Sequence, residues 1–291
     1  MTRPLFFGCG TALVTPFRGG EVDYEAYAAL VDRQVAAGAD FLVALATTGE
    51  TPTLSAQEKV RLLQITREHC AGLPVMAGCG TNSVPGTLAN MQLLAPCNPD
   101  AWLVVVPYYN KPNQEGMYRY FKTVAAATDK PVVMYNVPGR TGANMEADTC
   151  VRIARDVPNI IATKEASGKV DQVFRILENA PDGFSVLSGD DDITLTLMEK
   201  GAAGVVSVAS NVNPSGVSKM TSLALAGKWE EAREVDNALK PLYKACFVES
   251  SPIPAKAALS LMGLCSNEMR LPLVEASQST VSLMAGLIQD V

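Results

Sequence analysis

The amino-acid sequence predicts an α/β fold: a (β/α)8 TIM barrel with a C-terminal helical extension. Three observations lead there. Short apolar segments begin near Ala12, Phe41, Val75, Leu103, Val132, Ile160, Ser185 and Val205, at a near-constant spacing. Segments with apolar residues three to four apart lie between them, so strands and helices alternate. After Asn213-Pro214 the strand pattern stops and only helical segments follow. Eight alternations are a barrel's number. An open doubly wound sheet fits less well, because no G-x-G-x-x-G follows the first strand.

Taken in order, the stretch Met1 to Val14 has Arg3 and then Leu5-Phe6-Phe7, a loose imitation of a signal peptide. Gly8, Gly10 and Thr11 interrupt it, so it reads as the first strand. The helix Tyr24 to Ala37 ends at Gly38. Ser55 to Cys70 opens with Ser55 and Glu58 three residues on, a capping box. Val84 to Leu94, Gln114 to Thr128, Glu146 to Arg155, Lys169 to Asn179 and Asp191 to Lys200 complete the alternation. Beyond it, Lys219 to Ala226, Trp229 to Phe247, Pro254 to Met262 and Val274 to Ile288 read as helices. The expected division is a catalytic barrel over 1–225 and a helical region over 226–291 that packs on the barrel or on a partner subunit.

Composition narrows the function. The 291 residues are 48% hydrophobic, enough for a large core, and fit either two ordinary domains or one extended barrel. Charged residues make up 19% and the net charge is -6, with no basic block. Nucleic acid and membrane are therefore not expected partners. Seven dispersed cysteines without a C-x-x-C read as reduced thiols in a cytoplasmic protein. The single histidine, His69, excludes multi-histidine metal sites and suits a helix C-terminus.

A barrel's chemistry sits where its strands end. Those ends carry Ala46-Thr47-Thr48-Gly49-Glu50, Pro107-Tyr108-Tyr109-Asn110, and Tyr135-Asn136-Val137-Pro138-Gly139-Arg140-Thr141-Gly142. The later ones carry Lys164-Glu165-Ala166, Ser188-Gly189-Asp190-Asp191 and Gly204-Val205-Val206-Ser207. Lys164 follows an apolar β-branched run, where an ammonium is disfavoured. A neutral amine there attacks a ketone, loses water and forms an iminium, an electron sink. With no histidine at the rim, the hydroxyls of Tyr135, Thr47 and Tyr109 are left to pass protons. Packing for one of Tyr108 and Tyr109, and a turn role for Thr47 and Thr48, remain open alternatives. Arg140 can bind a carboxylate bidentately or make a surface salt bridge. Gly49, Gly189 and Gly204 let backbone approach a small ligand. Strand alternation points Glu165 away from Lys164, and Glu50 and Glu165 both read as structural.

This ordered set of motifs resembles the dihydrodipicolinate synthase family, over nearly the whole chain. Phe247-Val248-Glu249 and Pro252-Ile253-Pro254-Ala255-Lys256 add to the resemblance. Ala46 departs from it, standing where glycine is common. The resemblance implies a lyase of the lysine and diaminopimelate pathway, a class I aldolase type without cofactor or metal. It would condense pyruvate with L-aspartate 4-semialdehyde to give 4-hydroxy-tetrahydrodipicolinate. Lys164 would form the Schiff base with pyruvate. Tyr135 would be the general acid/base, relayed through Thr47 to a Tyr109 reaching in from a neighbouring subunit of a homotetramer, a dimer of dimers. Arg140 would hold the semialdehyde carboxylate and Thr48 the pyruvate carboxylate, with Gly189 and Val206 at the pocket. The alternative is another pyruvate-dependent aldolase, such as N-acetylneuraminate lyase or a keto-deoxy sugar-acid aldolase. Arg140 favours the short charged aldehyde. Lysine-sensitive members carry a histidine and a glutamate where this chain has Lys59 and Gly86. That implies weak or absent inhibition by lysine.

Overall fold

The computed structural model describes residues 4–288; the outer ends of 1–225 and 226–291, Arg3 included, lie outside them. Eight parallel strands close into a barrel: β1 (Gly8–Ala12), β2 (Phe41–Ala44), β3 (Val75–Gly78), β4 (Ala101–Val105), β5 (Val132–Asn136), β6 (Ile160–Glu165), β7 (Ser185–Ser188) and β8 (Gly204–Ser207). β1 pairs with β2 on one side and with β8 on the other, which closes the ring. The helices between are α1 (Tyr24–Ala36), α2 (Ala56–His69), α3 (Val84–Leu94), α4 (Gln114–Ala125), α5 (Ala147–Asp156), α6 (Val170–Asn179), α7 (Thr194–Glu199) and α8 (Pro214–Leu225). Three more follow: α9 (Trp229–Ala245), α10 (Ile253–Leu261) and α11 (Gln278–Leu287).

Local chemistry sets the helix starts. Asp23, Ser55, Ser83, Asn113 and Asn213 each accept a backbone N–H of the first turn. Ser55 and Glu58 form the expected capping box. His69, in the last turn of α2, pairs with Asp32 at 2.8 Å. Side chains alternate along each strand, so two cores form. Ala12, Phe41, Val43, Met76, Leu103, Val133, Ala162, Leu187 and Val206 fill the barrel interior, with Phe6 packed edge-on against Phe41. Leu42, Val75, Val104, Met134 and Val205 face the surrounding helices. α10 lies over the mouth of β1, where Leu259 packs with Val14 and Leu30.

Several boundaries differ from expectation. β1 ends at Ala12 rather than beginning there, because pairing with β2 and β8 makes a strand of glycine-rich Gly8-Cys9-Gly10. The stretch from Asp191 divides into a turn (Asp191–Ile193) and α7, since the Asp191 carboxylate reaches across to the Val208 and Ala209 amides. α8 starts at Pro214 rather than Lys219, with proline at its first position. Two pieces lie outside the expected elements: a hairpin of Phe17–Arg18 with Glu21–Val22, joined through Gly19-Gly20 at positive φ, and a helical turn at Pro138–Thr141. Among the described residues no helix is long and apolar enough to cross a membrane.

Candidate active site

Lys164 sits near the end of β6, in register with Tyr135 of β5 and Leu187 of β7. Alternation turns it inward like Ala162, and it is 4% exposed. Its Nζ lies 4.2 Å from the centre of the Tyr135 ring. Gly189 closes in from β7: a Cβ there would stand 2.6 Å from Ala166 Cβ and 3.0 Å from Lys164 Cε. Glycine is therefore required chiefly by Ala166, with the Lys164 stem next, and no left-handed backbone is involved.

Glu165 turns to the outside of the barrel. Asn136 Nδ2 donates to both its oxygens at 3.0 and 3.1 Å, Gln172 Nε2 donates at 3.2 Å, and the Ser167 amide at 3.0 Å. Burial pushes its carboxyl above the usual range, against those donors. This network ties β5 to β6 behind Tyr135 and Lys164.

A cavity of about 330 Å3 opens at the mouth, lined by Thr47, Lys59, Tyr108, Tyr135, Arg140 and Thr141 among others. A second, of about 980 Å3, is lined by Gly139, Ala166, Ser167, Asp190, Lys244 and Phe247 among others. Lys164 lines neither; its Nζ lies against the Tyr135 ring, with Gly189 beside its stem. Burial and the neighbouring Asp192 raise the Asp190 carboxyl to about 6, while Lys164 pulls it back down. Arg140, exposed at the rim, donates to the Ser251 carbonyl at 3.2 Å.

Thr47, Tyr135 and Arg140 thus share one cavity. Lys164 and Gly189 meet beside it, and Val206 belongs with Tyr135 to the barrel's inner wall. Thr48 is buried in the turn after β2. Tyr109 is not brought to them: it is 88% exposed, with a left-handed backbone (φ 73°). Lys59, Thr81 and Asn90 line the first cavity without having been singled out as substrate residues. They lie away from the strand-end motifs, on or before the next helices. Among the described residues no cluster of histidine, cysteine or acidic side chains is placed to hold a metal.

A closed barrel with a buried lysine under a tyrosine at its mouth defines the class, a (β/α)8 lyase of the class I aldolase type. The particular family follows from likeness to known proteins. The chain belongs to the dihydrodipicolinate synthetase family, whose model matches residues 5–290. It is 47% identical to the 4-hydroxy-tetrahydrodipicolinate synthase of Thermotoga neapolitana, over 98% of this chain and 99% of that one. The crystal structure of the Thermotoga maritima dihydrodipicolinate synthase superposes with a TM-score of 0.96 at 45% identity, covering 98% of each chain. The Aquifex aeolicus dihydrodipicolinate synthase gives 0.94 at 41% identity, covering 97% of each.

Proposed function

We infer that the chain condenses pyruvate with L-aspartate 4-semialdehyde to give 4-hydroxy-tetrahydrodipicolinate, in the lysine and diaminopimelate pathway. One observation carries the assignment of roles: Lys164 is buried with its Nζ 4.2 Å from the Tyr135 ring, in a chain of this family. The Lys164 amine attacks the pyruvate ketone and water leaves, giving an iminium. Loss of a methyl proton gives an enamine, whose carbon attacks the aldehyde. The semialdehyde's own amine then adds to the imine carbon, closing the ring and freeing Lys164.

Tyr135 and Thr47 move the protons, sharing one cavity as such a relay needs. Tyr109 completes the relay from a second subunit; its outward exposure supports this. The working unit is then at least a dimer, within a homotetramer. Arg140 holds the semialdehyde carboxylate and Thr48 that of pyruvate, with Gly189 and Val206 shaping the site. No metal or organic cofactor enters the reaction. The barrel of 1–225 carries the chemistry, 226–291 packs against it, and the protein acts in the cytoplasm. A substrate panel tests the function: turnover with pyruvate and aspartate semialdehyde should exceed that with pyruvate and N-acetylmannosamine or glyceraldehyde. Preference for either sugar aldehyde would overturn it.

A further inference from the structure

Glu50 closes the Thr47–Gly49 turn and opens the next, Thr51–Thr53. Its backbone is left-handed (φ 52°), as is that of Leu45 on the other side of the turn (φ 57°). Neither is glycine, so contacts from elsewhere must hold this shape. Thr15 Oγ1 donates to the Gly49 carbonyl at 2.7 Å and Thr51 Oγ1 to that of Ala46 at 2.9 Å. Thr53 Oγ1 donates to the Glu50 carbonyl at 2.9 Å. The anchor from farthest along the chain is the Glu50 carboxylate. Lys256 Nζ, from α10, donates to its Oε1 at 2.8 Å, with both side chains at 0% exposure. The Arg270 amide donates to Oε2 at 3.3 Å.

The surroundings fix that anchor in turn. Lys256 Nζ stands 4.3 Å from the centre of the Phe17 ring, and the Arg270 guanidinium lies over the same ring at 4.5 Å. Arg270 also grips both oxygens of Glu58 at 2.9 and 2.7 Å. A wholly buried ion pair adds little stability over an apolar pair of like volume, so its geometry is the more telling feature. Just ahead of α10, the Ser251 carbonyl accepts from Arg140. One short stretch of the tail therefore holds both the Thr47-Thr48 turn and Arg140.

We propose that Glu50 and Lys256 are positioning residues, through which the C-terminal region sets the Thr47-Thr48 turn for pyruvate. This rests on the roles given above to Thr47 and Thr48. The test compares wild type, Glu50→Gln/Lys256→Met and Lys256→Arg by melting temperature, by KM and kcat for pyruvate, and by borohydride trapping of the pyruvate iminium. Replacing both partners leaves no unpaired buried charge. The expected result is a near-native melting temperature, KM for pyruvate raised about tenfold and kcat within about threefold. Unchanged KM with a native melting temperature overturns the proposal. If the double variant does not fold, Lys256→Arg decides by the same criterion, since it keeps the charge but moves its donors. Failure of wild type to trap an iminium would instead strike at the function assigned to Lys164.

Discussion

Gly189→Ala adds one methyl group where the structure leaves no room. The backbone there is one that alanine adopts, so the perturbation is steric alone. The new Cβ would lie 2.6 Å from Ala166 Cβ, 3.0 Å from Lys164 Cε and 3.1 Å from the Glu165 carbonyl oxygen. Carbon atoms rest at about 3.5 Å or more, so Ala166 must yield roughly 0.9 Å and Lys164 roughly 0.5 Å. Overpacking of this kind costs about 1–3 kcal/mol, a fall of roughly 2–10 °C in melting temperature for a chain of this size. Displacing the nucleophile by a sizeable fraction of an ångström should slow iminium formation about 10- to 100-fold. The assay is rapid-quench borohydride trapping at saturating pyruvate, beside a melting curve. A variant that traps pyruvate at the native rate and melts at the native temperature would refute the close approach of Gly189 and Lys164.

Further predictions concern the other charged groups. Arg140→Ala should lower kcat/KM for aspartate semialdehyde about 10- to 100-fold, the worth of charge-assisted hydrogen bonds, while iminium formation with pyruvate changes little; equal losses in both would make the arginine structural. Lysine should change initial rates less than about twofold, far below the 5- to 150-fold of strong coupling. Lys59 lines the mouth cavity, burial lowering its pKa, and supplies no carboxylate for an effector's ammonium, while at Gly86 any Cβ would stand 2.7 Å from Thr81 Oγ1; saturable inhibition would refute this. Asp190 has its carboxyl raised to about 6, so stability is lost as pH rises from about 4 through 6 and the loss then levels off. Asp190→Asn should therefore stabilise the fold by on the order of 1–3 kcal/mol at pH 8 and by nothing at pH 4; a gain independent of pH in denaturant titrations would contradict it.

What could be read from the sequence was local. Val132, Val133, Ile160 and Ile161 announce strands by their branching, and Ser55 with Glu58 announces a helix start. Lys164 and Tyr135 were legible as strand-end residues, and adjacent strands then bring them together in register. The stretch ending at Val14 reads as the first strand, but its start was placed near Ala12 because Gly8 and Gly10 carry no β signal; barrel closure makes Gly8–Ala12 the strand. The anchors of the site escaped for a related reason. Arg140 and Ser251 are 111 residues apart and Glu50 and Lys256 are 206 apart, and nothing near either partner points to the other. The reading of Glu50 as structural named the residue without its partner. Asp190 stood among the quoted rim residues, but its raised carboxyl depends on burial beside Asp192, which no spacing reveals.

The central claim is that Lys164 is the nucleophile. Incubation with pyruvate and borohydride, followed by peptide mass mapping, tests it directly. The expected product is one stable adduct per chain, on Lys164, absent from a folded Lys164→Arg variant that has lost nearly all activity, because arginine supplies no neutral amine. An adduct on any other lysine, or turnover with no trappable adduct, would contradict it.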